Sequence, residues 1–312
     1  MKRVESSFDI PIVMLVFCRP VQTKIVLERI LEMNPRKLYV IADGPRINRL
    51  DQDTRLVEET RSLFDNVPNS VEVKTLFRAR NMGLKKSVKE GLDWFFNQES
   101  MGIIIEDDCL PSHSFFYFMK ENLLKYRDVP SVMHIGGNNY QLGIHRGEKY
   151  ADYYFSNTPH VWGWATWADA WSKYTDDPLK LKEFLEAGRL NDFGYDRFYR
   201  YKHRQYFRQT MIENTLSSWA YIWHFSIWYH RGVSISPNVN LVKNIGFGEQ
   251  ATHTTHGNGL IENLEAEEMH FPLRHPQNIR VDQDADNYDL GIVYGRNWSE
   301  RIRRRLLKLF RK

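Results

Sequence analysis

The sequence predicts an α/β domain built on a mainly parallel sheet flanked by helices. Three observations predict it. Short continuous apolar runs recur at 10–17, 37–42 and 101–105, segments with apolar residues at helical spacing alternate with them, and turn signatures close them. A strand covered on both faces has no polar side, so it reads as an unbroken apolar run rather than an alternation.

The elements follow in order. Residues 10–17 form the first strand and 21–33 a helix, and the second strand, 37–42, stops at Asp43-Gly44-Pro45. That turn lies at the carboxyl end of a strand, where open α/β sheets place their ligands. Next come a helix over 50–64, a strand over 71–77, a helix over 84–96 and a fourth strand over 101–105, which delivers Glu106-Asp107-Asp108. Pro111-Ser112 opens a helix to about residue 126, and 132–135 is a fifth strand before Gly136-Gly137-Asn138-Asn139. From 150 the pattern is irregular and aromatic, with Trp162, Trp164, Trp167 and Trp171 close together; helices are expected over 179–187, 197–212 and 219–231, then a short strand over 233–235. No repeat, low-complexity stretch or linker interrupts the chain, so 8–295 is expected to be a single domain with halves 8–145 and 146–295.

Composition narrows the function. The 312 residues are 42% hydrophobic and 26% charged, with no apolar run near the roughly 18 residues a membrane span needs. The N-terminus lacks a signal-peptide core, which leads to an expectation of cytoplasmic residence. Cys18 and Cys109 have no partner at metal or redox spacing and read as reduced, partly buried thiols. Eight of the 43 Lys/Arg and one of the 39 Asp/Glu fall in 296–312, so the rest of the chain is net acidic. With Trp298, Ile302, Leu306, Leu309 and Phe310 near helical spacing, 296–312 reads as a basic amphipathic tail. Such a tail would dock on an anionic membrane surface, peripherally on the inner face of the cell membrane. No nucleic-acid-binding motif accompanies it, so no nucleic-acid partner is expected.

The chemistry concentrates at Glu106-Asp107-Asp108. Three consecutive carboxylates repel one another, and a cation is their natural neutraliser. Hard oxygen ligands favour Mg²⁺ or Mn²⁺, which commonly take substrate phosphates as further ligands. A sugar nucleotide supplies such a diphosphate.

Several segments in series resemble the inverting GT-A transferases related to N-acetylglucosaminyltransferase I and their bacterial relatives. Val16-Phe17-Cys18-Arg19-Pro20 looks like that family's first strand with its arginine, and Ile41-Ala42-Asp43-Gly44 like its second strand with an aspartate facing the nucleotide base. Asn81-Met82-Gly83-Leu84 then leads a helix into Ile105-Glu106-Asp107-Asp108. The resemblance implies a GT-A, Rossmann-like fold, with 8–145 binding the nucleotide sugar and 146–295 holding the acceptor and a lid loop. It implies Asp108 as the direct metal ligand, Glu106 and Asp107 facing donor sugar and ribose, Arg19 and Asp43 on the base, and Asn81 on the donor side. Trp162-Gly163-Trp164 resembles an acceptor-side segment, and 244–257, rich in glycine and carrying His253, resembles a loop that orders over donor.

One departure stands out. The family carries an acid just before a Trp, where this chain reads Asn214-Thr215-Leu216-Ser217-Ser218-Trp219. The catalytic base is then Glu213, or Asp196 from the acceptor half, or the chain is inactive. The expected activity is metal-dependent transfer of a sugar, with inversion, from a nucleotide-diphosphate donor such as UDP-N-acetylglucosamine to a glycan or lipid-linked hydroxyl in cell-surface polysaccharide synthesis. The alternative is a non-catalytic carbohydrate-binding or scaffold protein at the membrane. A sugar-phosphate nucleotidyltransferase needs a glycine-rich basic loop after the first strand. Cys18-Arg19-Pro20-Val21 stands there instead.

Overall fold

The computed structural model describes residues 7–247, 259 and 261–294. Its first half alternates as expected: β1 (Ile12–Val16), α1 (Pro20–Glu32), β2 (Lys37–Ala42), α2 (Leu50–Ser62), β3 (Glu72–Phe77), α3 (Leu84–Phe96) and β4 (Met101–Glu106). A three-residue β5 (Cys109–Pro111), α4 (His113–Lys125) and β6 (Val132–Gly136) follow. The second half contains β7 (Tyr153–Ser156), β8 (Trp164–Trp167), α5 (Ala168–Trp171), α6 (Pro178–Glu186), α7 (Arg197–Met211), α8 (Trp219–Tyr229), β9 (Val233–Pro237), β10 (Val242–Asn244) and α9 (Gln283–Val293).

Eight strands form one sheet in the order β3-β2-β1-β4-β8-β6-β9-β7. The pairs β2/β3, β1/β2, β1/β4 and β6/β9 are parallel, whereas β8 runs antiparallel to both β4 and β6, and β7 antiparallel to β9. The apolar runs are buried as predicted: every residue of β1 is buried, and Ile103, Ile104 and Ile105 of β4 are fully inaccessible.

The tryptophan-rich segment is the main difference from the sequence reading. Trp164-Ala165-Thr166-Trp167 is β8, an interior strand that joins the parallel half of the sheet to β6. Trp164 is fully buried, stacked on Trp219 with ring centroids 5.4 Å apart and on His134 at 5.2 Å. Burying side chains of this size contributes about 1.5–3 kcal/mol each, so this aromatic cluster anchors α8 to the sheet. The tail 296–312 lies outside the described residues. Among the described residues no helix is long and apolar enough to cross a membrane.

Candidate active site

Strand register brings the sequence-predicted residues together. In the parallel trio β2-β1-β4, Val16 lies opposite Ala42 and Leu15 opposite Glu106, so Phe17, Asp43 and Asp107 leave the sheet side by side. Backbone bonds fix that edge: Asp43 N–H donates to Val16 O at 3.3 Å and Asp107 N–H to Leu15 O at 3.0 Å. The Phe17 N–H donates to Asp107 Oδ2 at 3.2 Å. This is the carboxyl edge of the parallel strands, the expected ligand edge of an α/β sheet.

Arg19 crosses the mouth of this edge from just ahead of α1. Its Nη1 lies 3.3 Å from Asp107 Oδ1 and also donates to Asp108 Oδ2. The resemblance implied a base contact for Arg19; in the structure its guanidinium lies on the acidic triplet. Burial, then the neighbouring Asp108 charge, push both Glu106 and Asp107 above the ordinary carboxylate range, with the Arg19 guanidinium opposing the shift.

Asp43 is buried and accepts three backbone N–H bonds, from Gly44 at 2.9 Å, Met82 at 2.8 Å and Gly83 at 3.2 Å. Asn81 completes the clamp by donating to Gly44 O at 2.9 Å and accepting from Gly83 N–H at 3.2 Å. Gly44 is required by close approach, because a Cβ there would meet the Arg80 backbone at 2.5 Å. Asp43 and Asn81 thus fix the loop entering α3 beside the triplet.

Trp162 is half-buried between Tyr140 and Phe247, each 5.7 Å away between ring centroids. Gly163 has φ +59° and accepts the Gly137 N–H at 2.8 Å, and a Cβ on it would press on Phe115 and Val242 at 3.0 Å. Trp162 therefore packs on Phe247, the neighbour of the Gly246 that abuts Asp108, while Gly163 is buried behind it. Trp164, placed on the acceptor side by sequence resemblance, belongs to the core instead.

The two candidate bases sit at opposite ends of α7. Asp196 is its N-cap, accepting the Tyr199 N–H at 2.9 Å, whereas Glu213 follows its C-terminus, 3.3 Å from Arg208 Nε. At about 1.5 Å per residue the helix holds them some 20–25 Å apart. Lys85, in the first turn of α3, bonds Asn214 Oδ1 at 2.9 Å and so ties the Glu213 end to the helix whose preceding loop Asp43 clamps. His253 lies outside the described residues.

A buried polar network lies behind Trp162 and Tyr140. His160 Nε2 lies 2.8 Å from Asp289 Oδ2, Gln141 Nε2 donates to Asp289 Oδ1 at 2.5 Å, and the His160 ring packs on Tyr140 at 4.7 Å. It ties α9 to the loop before Trp162. A lone histidine and an acidic, weakly periodic helix gave no local signal for this pairing.

Among the described residues no group of three or more His, Cys, Asp or Glu side chains is arranged to hold a metal ion. The residues therefore do not fit an all-protein cage. Asp107 and Asp108 present hard carboxylate oxygens of the kind that divalent cations take alongside phosphate oxygens and water. Burial raises both thiols, Cys18 to about 11, so neither is a reactive thiolate.

No protein-family model and no curated protein matches the chain. Solved structures that it is similar to include the galactosyltransferase LgtC in complex with donor and acceptor sugar analogues, at 8% identity and TM-score 0.36, covering 70% of each chain. UDP-glucose pyrophosphorylase complexed with UDP-glucose is similar at 11% identity and TM-score 0.33, over 53% of this chain and 78% of that one. HddC from Yersinia pseudotuberculosis is similar at 9% identity and TM-score 0.33, over 51% and 77% respectively.

Proposed function

We propose that the chain is a glycosyltransferase that binds a nucleoside-diphosphate sugar at the edge formed by Arg19, Asp43 and Glu106-Asp107-Asp108 and transfers the sugar with inversion to a glycan or lipid-linked hydroxyl. The observation that carries this reading is the convergence of a clamped aspartate, a guanidinium and three carboxylates on adjacent parallel strand ends. Asp43 and the loop 81–83 frame the side for the base, the triplet frames the diphosphate and sugar, and Trp162 and Gly163 border the acceptor.

Asp108 would hold Mn²⁺ or Mg²⁺, and the bound ion supplies positive charge to the departing diphosphate. The acceptor hydroxyl is deprotonated by a carboxylate as its oxygen attacks the anomeric carbon and the bond to the diphosphate breaks. Glu213 is assigned this proton, because Lys85 and Asn214 hold its end of α7 against α3 while Asp196 is committed to capping the far end. The polysaccharide and inner-membrane context rests on the basic tail 296–312, which vesicle binding with and without that tail would test.

Thermal unfolding in the presence of UDP, GDP, CDP, ADP and dTDP, with and without Mn²⁺, tests the reading. A ligand that binds only the folded state must raise the melting temperature. Metal-dependent stabilisation by one of them supports the site and names the base; no response from a folded sample favours a non-catalytic carbohydrate-binding protein.

A further inference from the structure

The charges at the strand edge do not balance. Glu106, Asp107 and Asp108 bring three carboxylates together, and the guanidinium that bridges two of them belongs to Arg19. The ion pair is sheltered yet reachable, with side-chain exposures of 17% for Arg19 and 13% for Asp108. The Asp108 oxygen that Arg19 holds, Oδ2, is also one that a divalent cation would need. A guanidinium and a metal ion on one carboxylate oxygen repel each other, so one must yield.

Resting on the transferase reading, we infer that Arg19 is the residue that binds the donor's diphosphate, and that it occupies the cation's carboxylates until the diphosphate draws it away. Nucleotide and divalent cation then enter the site together. Leaving a carboxylate pair uncompensated is costly, so Arg19 departs only toward another anion, and a diphosphate offers the bidentate oxygens that a guanidinium matches best. The two aspartates respond differently. Asp107 keeps the Phe17 N–H at 3.2 Å when Arg19 leaves, whereas among the described residues the Asp108 carboxylate keeps the weak Cys109 thiol contact at 3.6 Å. Asp108 is thereby released as the metal ligand while Asp107 stays anchored. Arg19 stands at the N-terminus of the thirteen-residue α1, so the positive end of that helix faces the same place. This assigns Arg19 to the phosphates and leaves the base side to Asp43 and its loop.

Binding of Mn²⁺ to the full chain, followed by the loss of the free-ion paramagnetic resonance signal, tests the exchange in wild type, Arg19→Gln and Asp108→Asn, with and without the nucleoside diphosphate that stabilises most. Removing a guanidinium within contact of the ligand carboxylate should tighten Mn²⁺ binding without nucleotide about tenfold or more. In wild type the nucleotide should tighten Mn²⁺ binding, and in Arg19→Gln that gain should shrink because nucleotide affinity falls. Asp108→Asn should abolish Mn²⁺ binding both with and without nucleotide. A folded Arg19→Gln protein that binds Mn²⁺ no more tightly than wild type overturns the inference, as does an absence of Mn²⁺ binding in both. If Arg19→Gln tightens Mn²⁺ while no nucleotide binds either protein, the exchange at Asp108 stands and the transferase reading fails.

Discussion

Gly246 lies so close to Asp108 that a Cβ built on it would overlap the Asp108 carboxylate. The neighbouring Ile245 N–H donates to the Asp108 carbonyl at 2.7 Å, and β10 pairs with β5 just beyond the triplet. The chain leading toward residue 248 is thus stitched to the backbone of Asp108. Gly246→Ala should push Asp108 out of place. Turnover is expected to fall about 10- to 100-fold, since displacements near 1 Å suffice for that. The melting temperature should move by only about a few degrees. A turnover assay with Mn²⁺, beside a melting curve, checks both.

Trp162 and Trp164 are two residues apart and do different work. Trp164→Ala removes a fully buried ring stacked on Trp219 and should cost about 3–5 kcal/mol. Trp162→Ala trims a half-buried ring packed on Tyr140 and Phe247 and should cost about 1–2 kcal/mol while lowering turnover. Urea denaturation of the two variants compares the stability losses, and turnover measured on both reads the loss expected for Trp162→Ala.

Asp43 satisfies three backbone N–H groups at once. Asp43→Ala leaves them without their acceptor and should destabilise by about 1–3 kcal/mol. It should also loosen the loop at 81–83, so that the preferred nucleoside diphosphate loses its advantage over the others. Stability comes from denaturation, and discrimination from the same nucleotide panel applied to the variant.

Asp286 is buried, and burial raises its carboxyl from 3.8 to about 7 despite bonds from Ser156 Oγ at 2.5 Å and the Asn157 N–H at 3.0 Å. With the folded value above the unfolded one, its contribution is full below about pH 4 and is lost as pH rises through about 7. Asp286→Asn should remove that slope. Relative to the variant, wild type should melt lower at about pH 8 than at about pH 5. Parallel slopes for the two proteins would contradict this.

The first half was legible because its strands are covered on both faces. Runs such as Met14-Leu15-Val16 and Ile103-Ile104-Ile105 carry their own burial, and the turn residues after them mark the ligand edge. The second half was less legible for two reasons. At four residues, β8 is too short to show a period, so Trp164 reads the same in a core as at a sugar site. The pairings His160 with Asp289 and Arg19 with Asp108 join residues far apart in sequence, and only strand register and helix docking bring them together. Glu213 and Asp196 looked interchangeable as acids until α7 placed them at its two ends.

The most direct measurement of the central claim is release of nucleoside diphosphate from UDP-N-acetylglucosamine and the other common sugar nucleotides, with Mn²⁺, by wild type and by Asp108→Asn. Wild type should show metal-dependent release from at least one donor. Asp108→Asn should lose about 100-fold or more, with the melting temperature of the unliganded protein little changed. Equal release by the two proteins would contradict it.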